Sequence, residues 1–144
     1  MRAVLQRVTS AAVTVGGETV GAIDRPGLLV LVGITHTDGP AQVVKLAEKT
    51  ANLRLLAGER SVLDEDAPVL AVSQFTLYGD AKKGRRPSWS TAAPGPVSEP
   101  LFNDYVQALR DLGVTVETGR FGADMRVSLT NDGPITLILD TDSL

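Results

Sequence analysis

The chain has 144 residues, of which 43% are hydrophobic, and these values favour a single folded domain, residues 1–144, with a packed core. The absence of cysteine excludes disulfides and thiolate chemistry, one histidine argues against a zinc site, and a net charge of −3 argues against a general polyanion binder. No apolar run approaches the ~20 residues that cross a bilayer, and the N-terminal residues do not resemble a signal peptide. We therefore expect a cytoplasmic protein.

Short apolar runs predict several strands in the first third of the chain. Gly16-Gly17 between two such runs indicates a hairpin turn. A near-continuous apolar run predicts that the fourth strand is covered on both faces. The predicted strands are Ala3–Val8, Ala12–Val15, Thr19–Ile23 and Leu28–Ile34.

One amphipathic helix is predicted after these strands. Asp38 is its expected N-cap, and Pro40 lies in its first turn. The apolar residues that recur at helical spacing, and so define its buried face, are Val43, Leu46, Ala47 and Ala51. A short strand, Leu53–Leu56, and a loop or tight hairpin, Ala57–Pro68, are expected to follow.

The second half of the chain predicts a strand, an irregular segment and a second helix. The strand Val69–Leu77 leads into Tyr78–Pro96, which contains three prolines and three glycines and is expected to be a functional or mobile loop. Ser98 is the expected cap of the second helix and Gly113 its stop. The predicted buried face of that helix comprises Leu101, Phe102, Tyr105, Val106, Leu109 and Leu112.

Three more strands are predicted at the end of the chain, at Val114–Thr118, Met125–Leu129 and Ile135–Leu139. Asp132-Gly133, between the last two, is typical of a hairpin turn. Many short strands, two main helices and no βαβ alternation indicate the α+β class. The expected architecture is one domain with a mostly antiparallel, barrel-like sheet that carries the two helices.

Elimination narrows the chemistry that the chain can perform. A Ser-His-Asp triad would have to use His36, the only histidine, which we expect to be a surface residue in a polar turn. The glycine patterns of phosphate-binding and dinucleotide-binding loops are absent. What remains is chemistry by hydroxyls, amides and backbone groups.

Such groups occur together in Ser73-Gln74-Phe75-Thr76, near the end of a predicted strand. Strand alternation puts Gln74 and Thr76 on one face, where an amide and a hydroxyl can jointly hold a carbonyl or an ester oxygen. The alternative is structural, because Thr and Phe favour strands and Gln74 can face water.

Two other segments also have two interpretations. Gly133-Pro134 is either part of an ordinary turn or a rigid backbone wedge whose carbonyls and amides read a ligand. The basic run Lys82-Lys83-Gly84-Arg85-Arg86 is either a solvated loop or a patch that docks a phosphate-bearing end of a nucleic acid.

At these motifs the sequence resembles the D-aminoacyl-tRNA deacylase family. The Ser-Gln-Phe-Thr motif of that family stands here at residues 73–76, and its Asn-x-Gly-Pro-x-Thr motif stands at residues 131–136. Two departures are Trp89, where the family usually has phenylalanine, and a segment 57–68 that looks shorter than usual. Flanking matches extend the resemblance over nearly the whole chain, at Leu5–Val8, Gly27–Gly33, Arg86–Ser88 and Thr118–Met125.

The resemblance implies an enzyme that hydrolyses the ester between a D-amino acid, or glycine, and the 3′-terminal adenosine of tRNA. It implies rejection of L-aminoacyl-tRNA, no metal or cofactor, and a homodimer in which a cis Gly133-Pro134 of one subunit enters the partner's pocket. Catalytic roles then fall to Thr76, Gln74 and Phe75, substrate binding to Ser73, Met125, Asn131, Gly133, Pro134 and Thr136, and tRNA contact to Lys82, Lys83, Arg85 and Arg86.

Two mechanisms and two rival functions stay open at this point. In the favoured mechanism the 2′-OH of the substrate positions or activates water, while backbone amides around Phe75 and Thr76 stabilise the oxyanion. In the competing one Thr76 is the nucleophile, although no obvious general base accompanies it. The rival functions are a non-catalytic module that binds RNA ends and a hydrolase of free D-amino acid esters.

Overall fold

The first strand forms the centre of the sheet. Apolar and polar residues alternate along it, so that Ala3, Leu5, Ala11 and Val13 are buried. The computed structural model describes residues 1–144. The strands are β1 (Arg2–Val15), β2 (Glu18–Ile23), β3 (Gly27–Gly33), β4 (Val69–Ser73), β5 (Val116–Thr118) and β6 (Arg126–Asp140), and the helices are α1 (Pro40–Asn52), α2 (Val62–Glu65) and α3 (Gly95–Asp111).

Strand β1 pairs with three neighbours, all antiparallel. Its first half pairs with β3 and its second half with β2 along one edge, while β6 follows almost its whole length along the other edge. The sheet continues through parallel pairs, β3 with β4 and β4 with β5. It nearly closes where β2 meets β5, because Gly21 has no side chain and lies directly against the carbonyl of Thr118.

The core lies on both faces of this curved sheet. The larger cluster packs α1 and α3 against one face, and its fully buried Tyr105 hydrogen-bonds through its hydroxyl to Thr50 Oγ1 at 2.9 Å. The smaller cluster fills the inside of the barrel with side chains from β1 to β4, among them Val8, Leu29 and Val72. None of the three helices is long and apolar enough to cross a membrane.

The predicted fold class is confirmed, with an error in connectivity. The chain forms one α+β domain with a barrel-like sheet and two main helices, and α2 is an additional short one. The expectation of no βαβ alternation is wrong, because β3 reaches the parallel β4 through α1 and α2, and β4 reaches the parallel β5 through α3. The amphipathic pattern identifies the helices but does not show that each one connects two parallel strands.

Both helix caps differ from the prediction. Helix α1 is capped by Gly39 and not Asp38, since the Asp38 carboxylate accepts hydrogen bonds from the Thr35 amide and the Met1 amino group. Helix α3 starts earlier than expected, with Pro94 as cap, and the hydroxyl of Ser98 donates to the Pro94 carbonyl within the first turn. At its other end, Leu112 is 40% exposed rather than buried.

Three predicted strands also change. Leu53–Leu56 forms no strand, and only Leu56 pairs, in a single bridge with Arg60. The strand from Val69 ends at Ser73, and the chain then turns into a short 3-10 helix, Phe75–Tyr78. The strand predicted from Val114 begins at Val116.

The hairpin expected at Asp132-Gly133 is absent. The two predicted strands flanking it, Met125–Leu129 and Ile135–Leu139, are parts of one strand, β6, and each pairs with β1 instead of with the other. A turn dipeptide between two apolar runs cannot distinguish a hairpin from a bulge, because both leave the chain extended on either side.

Candidate functional site

The parallel strands bring three irregular segments to one edge of the sheet. Strands β3, β4 and β5 run in the same direction, so the segments that follow Gly33, Ser73 and Thr118 leave from the same edge. Ligand sites in sheets with parallel strands commonly lie beyond these carboxyl ends. The motif at residues 73–76 is therefore in a position suited to binding.

The chain bends sharply at this motif, and the bend leaves two backbone donors free. Gln74 still donates its amide to the Val32 carbonyl at 2.7 Å, as the last link to β3. Phe75 and Thr76 then begin the 3-10 helix, where N–H groups lack intrahelical partners. Neither of these two N–H groups has an acceptor elsewhere in the chain.

A small hollow of about 90 Å³ opens beside this bend. Ser73, Gln74 and Phe75 line it, so the structure brings these three predicted site residues together. The rest of its wall is mainly apolar. The remaining lining residues are Val32, Ile34, Ser98, Phe121 and Gly122. Its volume is well below the ~300–1,000 Å³ of typical ligand pockets.

Thr76 is exposed and its hydroxyl oxygen accepts a hydrogen bond from the Gln74 side chain. The two side chains meet through the 3-10 turn and not through strand alternation, which ended at Ser73. The only imidazole, on His36, contacts the Ser90 carbonyl at 2.8 Å. Thus Thr76 has a hydrogen-bond donor beside it but no histidine or carboxylate hydrogen-bonded to its hydroxyl.

Tyr78, which ends the 3-10 helix, is not a base either. Burial, helped by Asp38 and Asp140, raises the pKa of its phenol well above the ordinary value, so the phenol stays protonated. The Arg2 guanidinium lies 4.5 Å from its ring centre and is paired with Asp140 at 2.9 Å. Arg2 also donates to the Leu77 carbonyl at 3.2 Å, so the cluster is tied to the 3-10 helix.

Met125 is less closely associated with the hollow. It ends the segment that carries Phe121, but its sulfur packs on Gly119, 2.6 Å from where a Cβ would stand, and beside Val13. It therefore lies against the inner barrel cluster and not among the residues that line the hollow.

The second motif forms a bulge in β6. Gln6 pairs with Thr136 and Val8 pairs with Asn131, so the four residues 132–135 stand opposite Arg7 alone. The Asn131 amide closes the bulge by donating to the carbonyls of Arg7 and Ile135, at 2.9 and 3.1 Å. At the edge of the bulge, Gln6 Nε2 donates to Thr136 Oγ1 at 3.3 Å.

Within the bulge, the Gly133-Pro134 bond is cis, as the resemblance implies, and both residues are exposed. Arg7 holds the segment from beneath. Its guanidinium donates to the carbonyls of Asp132 and Gly133, at 3.0 and 3.5 Å, and pairs with the Asp132 carboxylate at 3.2 Å. A third donor reaches the Leu55 carbonyl at 3.3 Å, which ties the bulge to the segment that follows α1.

The two motifs are far apart within one chain. Arg7 pairs with Leu28, which pairs with Val69, whereas Ser73 lies four residues further along β4. The bulge and the hollow are therefore separated by three strand-to-strand spacings across the sheet and by four residues along a strand. Together these amount to a distance of roughly 20 Å. The structure therefore does not bring Gly133 and Pro134 to the same chain's Ser73.

The four predicted tRNA-contact residues lie in one exposed loop behind the 3-10 helix. Asp80 and Ser88 exchange two 2.8 Å backbone hydrogen bonds that close this loop. None of its four cations is engaged in an ion pair. These residues are Lys82, Lys83, Arg85 and Arg86.

Comparisons with known proteins match nearly the whole chain to one family. A family model described as D-Tyr-tRNA(Tyr) deacylase matches residues 4–140. A protein of Kineococcus radiotolerans named D-aminoacyl-tRNA deacylase is 65% identical over 140 residues, which cover 97% of this chain and 99% of that protein. One of Kocuria rhizophila with the same name is 65% identical over 144 residues, which cover 100% of this chain and 96% of that protein.

Solved structures share the fold. One described as c-Myc DNA Unwinding Element Binding Protein has a TM-score of 0.89 at 39% identity, covering 97% of this chain and 98% of that one. Another, described as a probable eukaryotic D-amino acid tRNA deacylase, has a TM-score of 0.83 at 16% identity, covers 96% of this chain and 97% of that one, and shows the fold alone.

The fold and the matches define the class as an enzyme of the hydrolase type. More narrowly, the chain belongs to the D-Tyr-tRNA(Tyr) deacylase family, and the resemblance seen in its motifs is confirmed.

Sequence reasoning missed two residues that shape the site. Arg7 was noted only as part of a flanking match, although an arginine within an apolar strand indicates a specific partner for its charge. Phe121 likewise falls within a flanking match, but its place in the wall of the hollow depends on where the segment after β5 lies, which the local sequence does not show.

A substitution at Asn131 tests how the bulge is held. In Asn131→Asp a carboxylate replaces the amide and faces two carbonyl oxygens, so we expect exchange of the backbone amides around Pro134, at residues 132, 133, 135 and 136, to accelerate at least about tenfold. Because Asn131 is exposed, global stability should change by no more than about 1 kcal/mol. Hydrogen exchange at neutral pH measures this, with Asn103→Asp on the exposed side of α3 as control. Unchanged exchange in the bulge would show that Asn131 does not hold it.

Proposed function

We propose that this chain hydrolyses the ester that joins a D-amino acid, or glycine, to the 3′-terminal adenosine of tRNA, and leaves L-aminoacyl-tRNA intact. The observation that carries the proposal is the pair of free N–H groups at Phe75 and Thr76, beside a hollow with almost no acid–base groups. An activated ester needs such oxyanion donors more than it needs a triad. Relatives named D-aminoacyl-tRNA deacylase at 58–65% identity support the substrate.

In the proposed complex the terminal adenosine and the aminoacyl group lie against Ser73, Gln74 and Phe75. The carbonyl oxygen of the ester points at the Phe75 and Thr76 amides. Water attacks the carbonyl carbon, the bond to the ribose 3′ oxygen breaks, and that oxygen takes a proton. The amino acid and the tRNA with free 3′-OH are released.

Water activation falls to the 2′-OH of the substrate rather than to Thr76. The Thr76 hydroxyl already accepts a hydrogen bond from Gln74, and no histidine or carboxylate is hydrogen-bonded to it to take a proton. A nucleophilic hydroxyl without a base is weak at neutral pH. In this proposal the Gln74–Thr76 pair orients the ester, and Thr76 as nucleophile remains the competing route.

Discrimination of chirality is assigned to Gly133 and Pro134 of a second copy of the chain. The bulge is exposed, yet it lies roughly 20 Å from the hollow of its own chain. The hollow is also too small to be a whole site. In a homodimer the bulge would complete the partner's pocket, and the backbone that Arg7 and Asn131 hold would clash with an L side chain. Sedimentation showing an active monomer would exclude this arrangement.

The function itself is tested with matched D-, L- and glycyl-tRNA. We expect rapid deacylation of the D-aminoacyl species, measurable deacylation of glycyl-tRNA, which has no side chain to clash, and at least about 100-fold slower deacylation of the L species. Equal rates on D and L would remove the chiral assignment. Binding without turnover would favour the RNA-end module, and equal turnover of free D-amino acid esters would favour the small-ester hydrolase.

The choice between mechanisms rests on two changes, one in the protein and one in the RNA. We expect Thr76→Val to stay within about tenfold of the parent in kcat, whereas tRNA ending in 2′-deoxyadenosine should lose at least about 100-fold, as expected for loss of an acid–base group. Single-turnover deacylation measures both. Near-complete loss of turnover in Thr76→Val with binding intact, or full activity on the deoxy substrate, would instead favour the nucleophile route.

The basic loop is tested through salt dependence. Replacing its four cations, Lys82, Lys83, Arg85 and Arg86, by alanine should weaken tRNA binding and flatten the plot of log K against log salt. The slope should fall in magnitude by up to about 3 for four contacts to a single strand. Lys49→Ala on α1 is the control. An unchanged slope would mean that the loop does not contact phosphates.

A further inference from the structure

Two aromatic side chains lie side by side on the surface next to the proposed pocket. Phe75 is 55% exposed and Trp89 is 45% exposed. Their ring centroids are 5.5 Å apart with an interplanar angle of 78°, an edge-to-face pair. Exposure of two adjacent large aromatic side chains is unusual for a folded domain and indicates a binding surface.

The indole is held in place by backbone. The Asp80–Ser88 bridge ends immediately before Trp89, and Gly79 lies under the ring, where a Cβ would stand 2.7 Å from Trp89 Cζ3. Only glycine leaves room for the indole at this distance. A ring that is already fixed loses little conformational entropy when a ligand stacks on it.

The pair is continuous with the basic loop defined above. Its exposed, unpaired cations precede Trp89 in the chain, and a protein of net charge −3 has concentrated them here. Aromatic rings beside a basic track are the combination with which proteins bind single-stranded nucleic acid, because bases stack on the rings while cations take the phosphates. The charge and the exposed rings of this surface therefore both favour single-stranded nucleic acid as its ligand.

We propose that Trp89, with Phe75, forms a stacking subsite for the nucleobase that precedes the terminal adenosine. Phe75 lies between the hollow and Trp89, since it lines the hollow and also packs on the indole. A strand whose last nucleoside occupies the hollow would cross Phe75 and present its next base to the indole. The inference rests on the proposed function for the position of that last nucleoside.

Kinetics on two substrates test the subsite. Trp89→Leu keeps bulk but removes the ring, so it should raise KM for D-aminoacyl-tRNA roughly tenfold or more at similar kcat. The same variant should act normally on D-aminoacyl-adenosine, which has no preceding base. Trp89→Phe should retain most of the activity, and Val44→Ala, another exposed apolar residue, on α1, is the control.

Fluorescence gives a readout that does not depend on any variant folding. Trp89 is the only tryptophan of the chain, so its emission reports the subsite directly. Titration with the trinucleotide CCA should quench it, whereas adenosine alone should not. Gly79→Ala, which displaces the indole without removing it, should weaken the CCA titration.

The outcomes separate this inference from the function it rests on. The subsite would be overturned if Trp89→Leu lost activity equally on both substrates or lost none on either. It would also be overturned if adenosine alone quenched the fluorescence. Parent protein that hydrolyses neither substrate but is quenched by CCA would overturn the proposed function and keep the stacking surface. Normal hydrolysis without CCA quenching would overturn the subsite alone.

Discussion

The pairing of β1 with β6 is the constraint on which the rest of the structure depends. It runs along nearly the whole of both strands, and its register shifts twice, between Gln6 and Val8, where four residues stand opposite Arg7, and again between Val8 and Ser10. On the other edge, β1 carries both β3 and β2 and so sets the curvature that closes the barrel. A slip of register would move the bulge and turn the buried side chains of β1 outward together.

The bulge is held by side chains that donate to its backbone carbonyls. Arg7 and Asn131 provide five hydrogen bonds to carbonyls in or beside it, and the Asp132 carboxylate balances the guanidinium charge. This leaves the surface of Gly133 and Pro134 exposed on a backbone that cannot easily move away. The hollow at Phe75 is the converse, since there the backbone donors are left without partners. Side chains hold the carbonyls of the bulge, whereas the donors beside the hollow are open to a ligand.

The sequence predicted local features well and non-local ones poorly. The strands, the two main helices and the fold class follow from apolar periodicity, which depends on neighbours within one element. The parallel crossovers and the continuous β6 depend on partners distant in the chain. One signal was present but unused: the buried residues of β1 change phase between Leu5 and Val8, where the bulge lies. The motif at residues 73–76 lies at the end of a strand, as expected, yet its geometry is a turn and not an alternating strand.

The small number of acid–base groups near the hollow has a physical explanation under the proposed function. An enzyme that must reject one enantiomer of an already activated ester gains more from a rigid boundary than from a stronger nucleophile, because a strong nucleophile would attack both enantiomers alike. In the proposed mechanism, the free amides beside the small hollow would accelerate hydrolysis of any ester that fits, and the exposed bulge with its clamped backbone would decide which ester fits. The two elements lie roughly 20 Å apart in one chain, so under the proposed function they would act together only in the dimer, where catalysis would be confined to the assembled and selective pocket.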